Sequence, residues 1–224
     1  MTRVLKQQES LDLVSFEKEG NGWLFVAMGI IVSFFLWPIG LVIGVLFAFM
    51  GLKYVNEGNR FHAGAVGEKL VSDSFNRYPD DWYIFNDMVI GSSQIDHIVI
   101  CPKGVYTIET KNYQGTIRGN VEETGWIQII GKGYERPFYN PVLQGKKHSS
   151  ELRKYFEKCG FKVWVGTIVV FADQDSKLEV ASRDVPVIYL DKLNGFFDRQ
   201  RNVMDQDLCE GIVECISDLL QNSG

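Results

Sequence analysis

The chain has 224 residues, of which 46% are hydrophobic, so it can bury one core of roughly 150 residues with a further segment beside it. Its ordinary content of 22 Gly and 6 Pro excludes the fibrous and disordered classes. Its formal net charge of −5 excludes a protein that coats nucleic acid by bulk electrostatics, since that mode needs a broad excess of Lys and Arg. Any contact with nucleic acid is therefore expected to be local.

The first element is an uncharged apolar run over residues 23–52, which exceeds the ~20 residues that a helix needs to cross a bilayer. Its length and the mixed charges before it argue against a cleaved signal peptide, and the lack of amphipathic patterning argues against a buried core helix. Pro38 lies near its middle and favours a kink or a break. The run is predicted to be membrane-embedded, either as one long kinked span or as a re-entrant hairpin with arms at 23–37 and 39–52.

The composition changes after this run to that of a soluble mixed α/β domain. The chain is therefore expected to divide into a polar segment, a membrane segment, a linker and a domain, at residues 1–22, 23–52, 53–63 and 64–224. Residues 58–64 are predicted to be a short connector. Positive charges on the two sides of the apolar run are balanced and leave its orientation open.

Periodicity and turn residues predict the elements of the domain. Apolar residues at helical spacing predict helices at 65–77, 141–158, 191–199 and 205–221. Runs rich in β-branched and aromatic residues predict strands at 82–85, 94–101, 105–111, 116–118, 126–130, 161–171 and 185–190. The strand at 161–171 is almost continuously apolar and is expected to be central in the sheet.

The chemistry of the domain concentrates in two neighbouring predicted strands. Asp96 lies in one of them, and Glu109 and Lys111 lie at the end of the next. Side chains alternate along a strand, so Glu109 and Lys111 are expected to share a face. If Lys103-Gly104 is a two-residue hairpin turn, the register places Asp96 opposite Lys111 on that same face.

Two carboxylates one strand apart repel each other unless a positive group lies between them. Hard oxygen ligands favour Mg²⁺ or Mn²⁺, which use one or two carboxylates together with water and phosphate oxygens. Such an ion would acidify a water molecule and stabilise charge on a phosphodiester, and the Lys111 ammonium would orient the attacking group. The alternative on this pattern alone is an ordinary salt bridge of Lys111 with Asp96 or Glu109 at a strand end.

Four motifs follow one another in the chain, and together they resemble the successive motifs of the nuclease-related domain (NERD) family. They are Gly64-Ala65-Val66-Gly67-Glu68, Ile95-Asp96-His97-Ile98-Val99-Ile100, Gly104-Val105-Tyr106-Thr107-Ile108-Glu109-Thr110-Lys111 and Asn140-Pro141-Val142-Leu143-Gln144-Gly145-Lys146-Lys147-His148. The resemblance covers about 64–152 and implies a restriction-endonuclease-like fold, a mixed sheet flanked by helices, with a PD-(D/E)xK metal site.

Carried over by position, the resemblance implies a role for each polar residue. Asp96 and Glu109 would be metal ligands, Lys111 the catalytic lysine, Glu68 a further acidic ligand on the first helix, and Gln144 a catalytic polar residue on the helix after the core strands. The implied cofactor is Mg²⁺ or Mn²⁺. Ile95 stands before Asp96 where the motif commonly has Pro.

The helix from Pro141 carries a basic run that is a candidate nucleic-acid contact, made of Lys146, Lys147, His148, Arg153 and Lys154. A solvated helix face is the alternative. Gln144 and His148 are four residues apart and share one side of this helix, where they could bond to a carboxylate, water or phosphate. His97 is expected to point to the opposite sheet face as a packing or hydrogen-bonding residue.

Tryptophans and cysteines complete the set of distinctive residues. Trp82, Trp126 and Trp164 fall in predicted strands and are expected to serve packing rather than base stacking. The four cysteines are Cys101, Cys159, Cys209 and Cys215, and they lie far apart in the sequence without a CxxC pair. They are therefore expected to be unpaired thiols in a reducing compartment, and a zinc site is not expected.

Three classes of function follow. The first is a membrane-anchored, metal-dependent nuclease whose domain faces the cytosol at the inner membrane and hydrolyses phosphodiester bonds of nucleic acid, with DNA preferred to RNA. The second is a catalytically inactive nucleic-acid-binding module on the same fold, and the third is a membrane-associated interaction protein. The bilayer and nucleic acid are the expected partners, and a homo-oligomer stays open. Both carboxylates and the lysine favour the first class, because a binding module has no evident need for Lys111 beside two acids.

Overall fold

A computed structural model describes residues 3–4, 9–35 and 39–221 of the chain. The chain forms two compact units. One unit is Gln8–Val66, and the other is Gly67–Gly224 together with Met1–Gln7. Each unit is described below by itself.

The first unit is an antiparallel pair of helices, α1 (Glu9–Phe35) and the first part of α2 (Ile39–Ser74). Lys18 Nζ donates to Glu57 Oε2 at 2.8 Å near the open end of the pair. Towards the other end, a Cβ built on Gly29 would lie 2.6 Å from the Gly44 carbonyl oxygen, so a larger residue there would separate the helices. Of the two geometries left open by the sequence, the helices therefore form the hairpin, while Pro38 lies outside the described residues.

The connector predicted at residues 58–64 is wrong, because α2 continues through it to Ser74. Gly58 serves close packing rather than a chain break, since a Cβ on it would lie 3.0 Å from the Ser15 carbonyl oxygen. The predicted helix at 65–77 is the last part of α2.

Among the described helices, α2 is the one long and apolar enough to cross a membrane by length and composition. The most apolar 18-residue window of α2 has only 17% of its residues buried. Apolar side chains such as Leu46 and Phe49 are largely exposed.

The second unit contains the sheets and the remaining helices. Its strands are β1 (Arg3–Val4), β2 (Tyr83–Ile90), β3 (Ser93–Cys101), β4 (Gly104–Lys111), β5 (Thr116–Asn120), β6 (Gly125–Ile130), β7 (Tyr134–Tyr139), β8 (Val165–Phe171), β9 (Lys177–Ala181) and β10 (Val187–Tyr189). Its helices, besides the end of α2, are α3 (Pro141–Lys158), α4 (Leu190–Asp198) and α5 (Gln206–Gln221). The strands β1, β7 and β9 were not predicted.

The main sheet has the order β1-β2-β3-β4-β8-β10 and mixes parallel with antiparallel pairs. The apolar strand β8 lies between β4 and β10, which confirms its predicted central position. Leu152 and Phe156 of α3 pack on one face of the sheet, and Leu193 and Phe197 of α4 pack on the other. The predicted fold class, a mixed sheet flanked by helices after an apolar helical segment, is confirmed.

A second sheet of order β7-β6-β5-β9 follows β4 in the chain. The sequence indicated the β5–β6 pair, but Pro137 in β7 and the polar residues of β9 hid the outer strands. Trp126 is fully buried in β6, and Trp82 is buried just before β2, as predicted. The prediction for Trp164 is wrong, because β8 begins one residue after it and its side chain is 78% exposed.

The cysteines are not all free thiols. Cys159, which follows α3, forms a disulfide with Cys215 of α5, whereas Cys101 and Cys209 are free and buried. The prediction of four unpaired cysteines is wrong. Cys159 and Cys215 are 56 residues apart in the sequence, but the packing of the helices brings their Cα atoms to 6.4 Å from each other. A reducing compartment can therefore no longer be argued from the cysteines.

Candidate active site

The β3–β4 hairpin fixes the register of the candidate site. Cys101 pairs with Gly104, so the two-residue turn is Pro102-Lys103 rather than the predicted Lys103-Gly104. Proline has no N–H to give to a strand ladder, and Gly104 takes the positive φ of 123° that follows the turn. The predicted register is therefore wrong by two residues.

The shift preserves the predicted face, because side chains alternate with a period of two. His97 pairs with Ile108, and the same register continued by one residue places Asp96 opposite Glu109 rather than opposite Lys111. Asp96, Glu109 and Lys111 still lie on the same side of the sheet, as the sequence predicted.

Glu109 is the centre of the site and is almost fully buried. Its Oε1 accepts a bond from Lys111 Nζ at 2.6 Å, and Lys111 Nζ also lies 3.4 Å from Gln144 Oε1. The other oxygen, Oε2, has no hydrogen-bond partner among the described residues. His148 Nδ1 lies 3.4 Å from this oxygen without the geometry of a hydrogen bond.

Asp96 is half-buried, and its Oδ2 accepts the backbone N–H of Thr110 at 2.8 Å, which ties β3 to the end of β4. Asp87 of β2 also acts on this carboxyl group, since its negative charge raises the pKa of Asp96. The sequence prediction missed Asp87 because it ended the strand at residue 85. Asp87 has a positive φ of 52°, and its neighbours Asn86 and Met88 pair with His97 and Ile95, the residues on either side of Asp96.

Carboxyl groups outnumber ammonium groups at the site. Burial and then the charge of Asp96 raise the pKa of Glu109 to about 8, in spite of Lys111. Glu68, half-buried on α2, raises the pKa of Glu109 further. Burial also raises the pKa of Asp96. Burial lowers the pKa of Lys111, but Glu109 and Asp96 more than offset it, so this pKa is raised and the ammonium stays charged. One ammonium thus faces several carboxyl groups.

Helix α3 brings Gln144 and His148 to the site because Asn140 fixes its start. The Asn140 side chain accepts from the N–H groups of Val142 and Leu143, and it donates to the carbonyl oxygens of residues 120, 121 and 123. Pro141 occupies the first helical position, as predicted from the sequence. Burial, Lys111 and Lys147 lower the pKa of His148 to about 4, so its ring is neutral at pH 7.

The basic run of α3 divides into two groups. Lys146, Lys147, Arg153 and Lys154 are exposed, as a nucleic-acid contact requires. His148 is buried beside Glu109 and belongs to the acidic site instead. His97 is fully buried, with its Nδ1 2.8 Å from Asn86 Oδ1, which confirms its predicted packing and hydrogen-bonding role.

A divalent cation fits these residues in two respects. Glu109 Oε2 is buried without a donor from the described chain, and burial raises the pKa values of both Asp96 and Glu109, so a bound cation would favour their ionised forms. Within residues 3–4, 9–35 and 39–221, no three His, Cys, Asp or Glu side chains are grouped so that they could hold a metal ion. Two carboxylates are nevertheless the set that Mg²⁺ commonly takes from a protein, with water and phosphate oxygens as the other ligands.

Comparisons with known proteins find relatives that match less than half of this chain. An uncharacterized protein from Bacillus anthracis is 35% identical over 101 residues, which are 42% of this chain and 47% of that protein. The probable kinase PglW from Streptomyces coelicolor is 27% identical over 97 residues, 43% of this chain and 6% of PglW. Protein NRT1/PTR family 1.2 from Arabidopsis thaliana is 27% identical over 109 residues, 49% of this chain and 18% of that protein.

The chain thus spans less than half the length of each of these relatives. No solved structure matches the chain. The family model described as "Nuclease-related domain" matches residues 63–172, a range that contains Glu68, Asp96, Glu109, Lys111 and Gln144. The chain therefore carries a nuclease-related domain at residues 63–172.

Proposed function

We propose that this protein is a membrane-anchored nuclease that hydrolyses phosphodiester bonds of DNA with the help of Mg²⁺ or Mn²⁺. The observation that carries this proposal is the buried Glu109, which has Lys111 on one oxygen and no hydrogen-bond donor from the described chain on the other. A structural ion pair needs one carboxylate for one ammonium, whereas this site adds Asp96 and Glu68. The excess of carboxyl groups over ammonium groups supports the binding of a cation.

The residues of the chain have separate roles in this proposal. Asp96 and Glu109 would hold the cation, with Glu68 as the further acidic residue. When bound, the cation would neutralise charge on the scissile phosphate and acidify a water molecule. Lys111 stays charged and is directed by Glu109 and Gln144, so its ammonium can stabilise charge that develops on a phosphate oxygen.

Dependence on a divalent cation is the direct test. The full-length chain, purified in detergent, should convert supercoiled plasmid to nicked circles with Mg²⁺ or Mn²⁺ and should not do so with EDTA. The same preparation should cut single-stranded RNA more slowly than DNA. An absence of cutting with either cation, combined with binding of DNA oligonucleotides, would instead support the nucleic-acid-binding module. An Asp96→Asn preparation made in parallel controls for contaminating nucleases.

The anchor is supported by the exposed apolar side chains of the α1–α2 hairpin and by the length of α2. In water such a surface would cost about 25 cal/mol per Å², so a bilayer is the environment that it fits. We expect the full-length chain to stay in the membrane pellet after alkaline carbonate washing. The fragment 59–224 should appear in the supernatant and melt cooperatively. Extraction of the full-length chain would contradict the anchor, and an aggregated fragment would contradict the proposed boundary.

We further propose that the domain faces the cytosol and that its anchor lies in the inner membrane. The cytosol is where cellular nucleic acid is found, and this location supports the proposal. The free cysteines no longer support it, because Cys159 and Cys215 form a disulfide.

A further inference from the structure

A basic surface lies at the opposite end of β4 from the acidic site. It is a concavity of about 760 Å³ whose lining includes Lys103, Lys162, Trp164, Arg199 and Arg201, and it is called the basic groove below. Gly104 at the start of β4 lines the groove, and Lys111 of the acidic site ends the same strand. At roughly 3.3 Å per residue these two ends lie about 23 Å apart, so the groove is separate from the acidic site.

The charge of the groove runs against that of the whole chain. The chain has a net charge of −5, yet none of the described residues that line the groove is acidic. Lys103 Nζ donates to the Gln200 carbonyl oxygen at 2.7 Å, which fixes the segment that carries Arg199 and Arg201 at the groove. Such a local concentration of cations attracts a polyanion even on an acidic protein.

Trp164 gives the groove an aromatic surface. Its side chain is 78% exposed, although the next residue, Val165, is buried. Tryptophan is largely buried in most proteins, so a ring held in the open beside Lys and Arg side chains needs a partner. Exposed aromatic rings in cationic grooves stack on nucleic-acid bases, and a base is available for stacking when it lies in a single strand.

A second concavity of about 580 Å³ continues the surface on the other side of Trp164. It shares Tyr106, Trp164 and Gln200 with the basic groove, and Lys146 and Arg153 of α3 line it together with one acidic residue, Asp184. The basic face of α3 that the sequence indicated therefore meets the basic groove at Trp164. Lys146 lies two residues from both Gln144 and His148 in α3, so it faces a different side of the helix from these two residues of the acidic site.

We propose that the basic groove binds single-stranded nucleic acid, with Trp164 stacked on a base and with Lys162, Arg199 and Arg201 in contact with phosphates. The choice of ligand rests on the proposed nuclease function. The groove would be a second binding site at a distance from the acidic site, so it would bind the nucleic-acid strand away from the phosphodiester bond that is cut.

Binding without cleavage tests this proposal independently of activity. The full-length chain in detergent micelles, with EDTA present, is titrated into a fluorescein-labelled oligothymidylate of about 12 nucleotides and followed by anisotropy. Trp164→Ala should weaken binding roughly 5- to 100-fold, and Trp164→Phe should restore most of the affinity. The double variant Arg199→Ala/Arg201→Ala should lower the slope of log affinity against log salt by about 0.7 for each lost phosphate contact.

The control is Lys132→Ala/Tyr134→Ala, which removes an exposed cation and an exposed aromatic ring outside both concavities and should leave affinity unchanged. Melting temperatures of all variants should match wild type because the replaced side chains are exposed. Unchanged affinity of Trp164→Ala and of the arginine variant would overturn the proposal, as would tighter binding of a duplex of equal length. The proposal would also be overturned if these variants lost binding to anionic phosphatidylserine vesicles but kept their binding to the oligonucleotide. Oligonucleotide binding without any cleavage would contradict the proposed nuclease activity but would still support binding in the basic groove.

Discussion

Replacement of Asp96 by Asn is expected to lower the rate of metal-dependent plasmid cleavage by roughly 10³-fold or more. Asn keeps an oxygen that can accept the Thr110 N–H, which now lies 2.8 Å from Asp96 Oδ2, but it loses the charge that would hold the cation. Because burial raises the pKa of Asp96 and its charge also raises the pKa of Glu109, the melting temperature without metal should stay the same or rise. Nicking rates and melting curves with and without Mg²⁺ or Mn²⁺ measure both effects.

Lys111→Ala provides the second half of this experiment. Turnover should again be lost, but metal affinity should survive or increase, because a neighbouring cation no longer repels the metal. If the cluster is instead an ordinary ion pair, Asp96→Asn should also destabilise the fold, by on the order of 1–3 kcal/mol. The metal site would be contradicted if Asp96→Asn destabilised the protein and the wild-type melting temperature were the same with and without Mg²⁺ or Mn²⁺.

Asn140→Ala is expected to lower the free energy of unfolding by roughly 2–4 kcal/mol. The substitution removes the cap of α3 and the donors to three carbonyl oxygens, in residues 120, 121 and 123. The loss should be visible as a fall of about 4–16 °C in melting temperature. Cleavage should fall as well, because α3 carries Gln144 and His148 to the site.

Two further variants make the result on Asn140 specific. Asn140→Asp keeps the oxygen that caps Val142 and Leu143 but loses the donors, so its stability should lie between wild type and Asn140→Ala if burial of the new charge is modest. Asn202→Ala changes an exposed asparagine and should stay within about 0.5 kcal/mol of wild type. A loss of less than about 0.5 kcal/mol for Asn140→Ala would contradict the role given to this cap.

Much of the fold followed from the sequence because its signals are local. The apolar run of β8 predicted a central strand, and Asn140-Pro141 predicted the start of α3, and the structure confirms both. The shared face of Asp96, Glu109 and Lys111 survived an error in the turn, since moving the turn by one residue shifts the register by two and preserves the alternation of sides. The face of the site was therefore predictable even where the pairing was not. The roles of its residues stay predictions.

The features that were missed depend on tertiary packing. The disulfide joins residues 56 apart, and nothing near Cys159 or Cys215 in the sequence indicates that α3 and α5 meet there. Trp164 has apolar neighbours that continue the pattern of β8, so its exposure is visible only once the strand is known to begin at Val165. Asp87 escaped notice because it is a polar residue inside an apolar strand, with a backbone conformation that local pattern does not reveal.

The antiparallel packing of α1 and α2 also limits how the chain can be threaded through a bilayer. If the hairpin enters a bilayer as proposed, the polypeptide before α1 and the polypeptide after the hairpin emerge in the same compartment. The pairing of Arg3–Val4 with β2 of the sheet agrees with this requirement, because it needs both parts of the chain on one side. A single kinked span would have placed them on opposite sides. In the proposed membrane topology, the amino-terminal segment and the nuclease-related domain therefore lie on the same side of the bilayer.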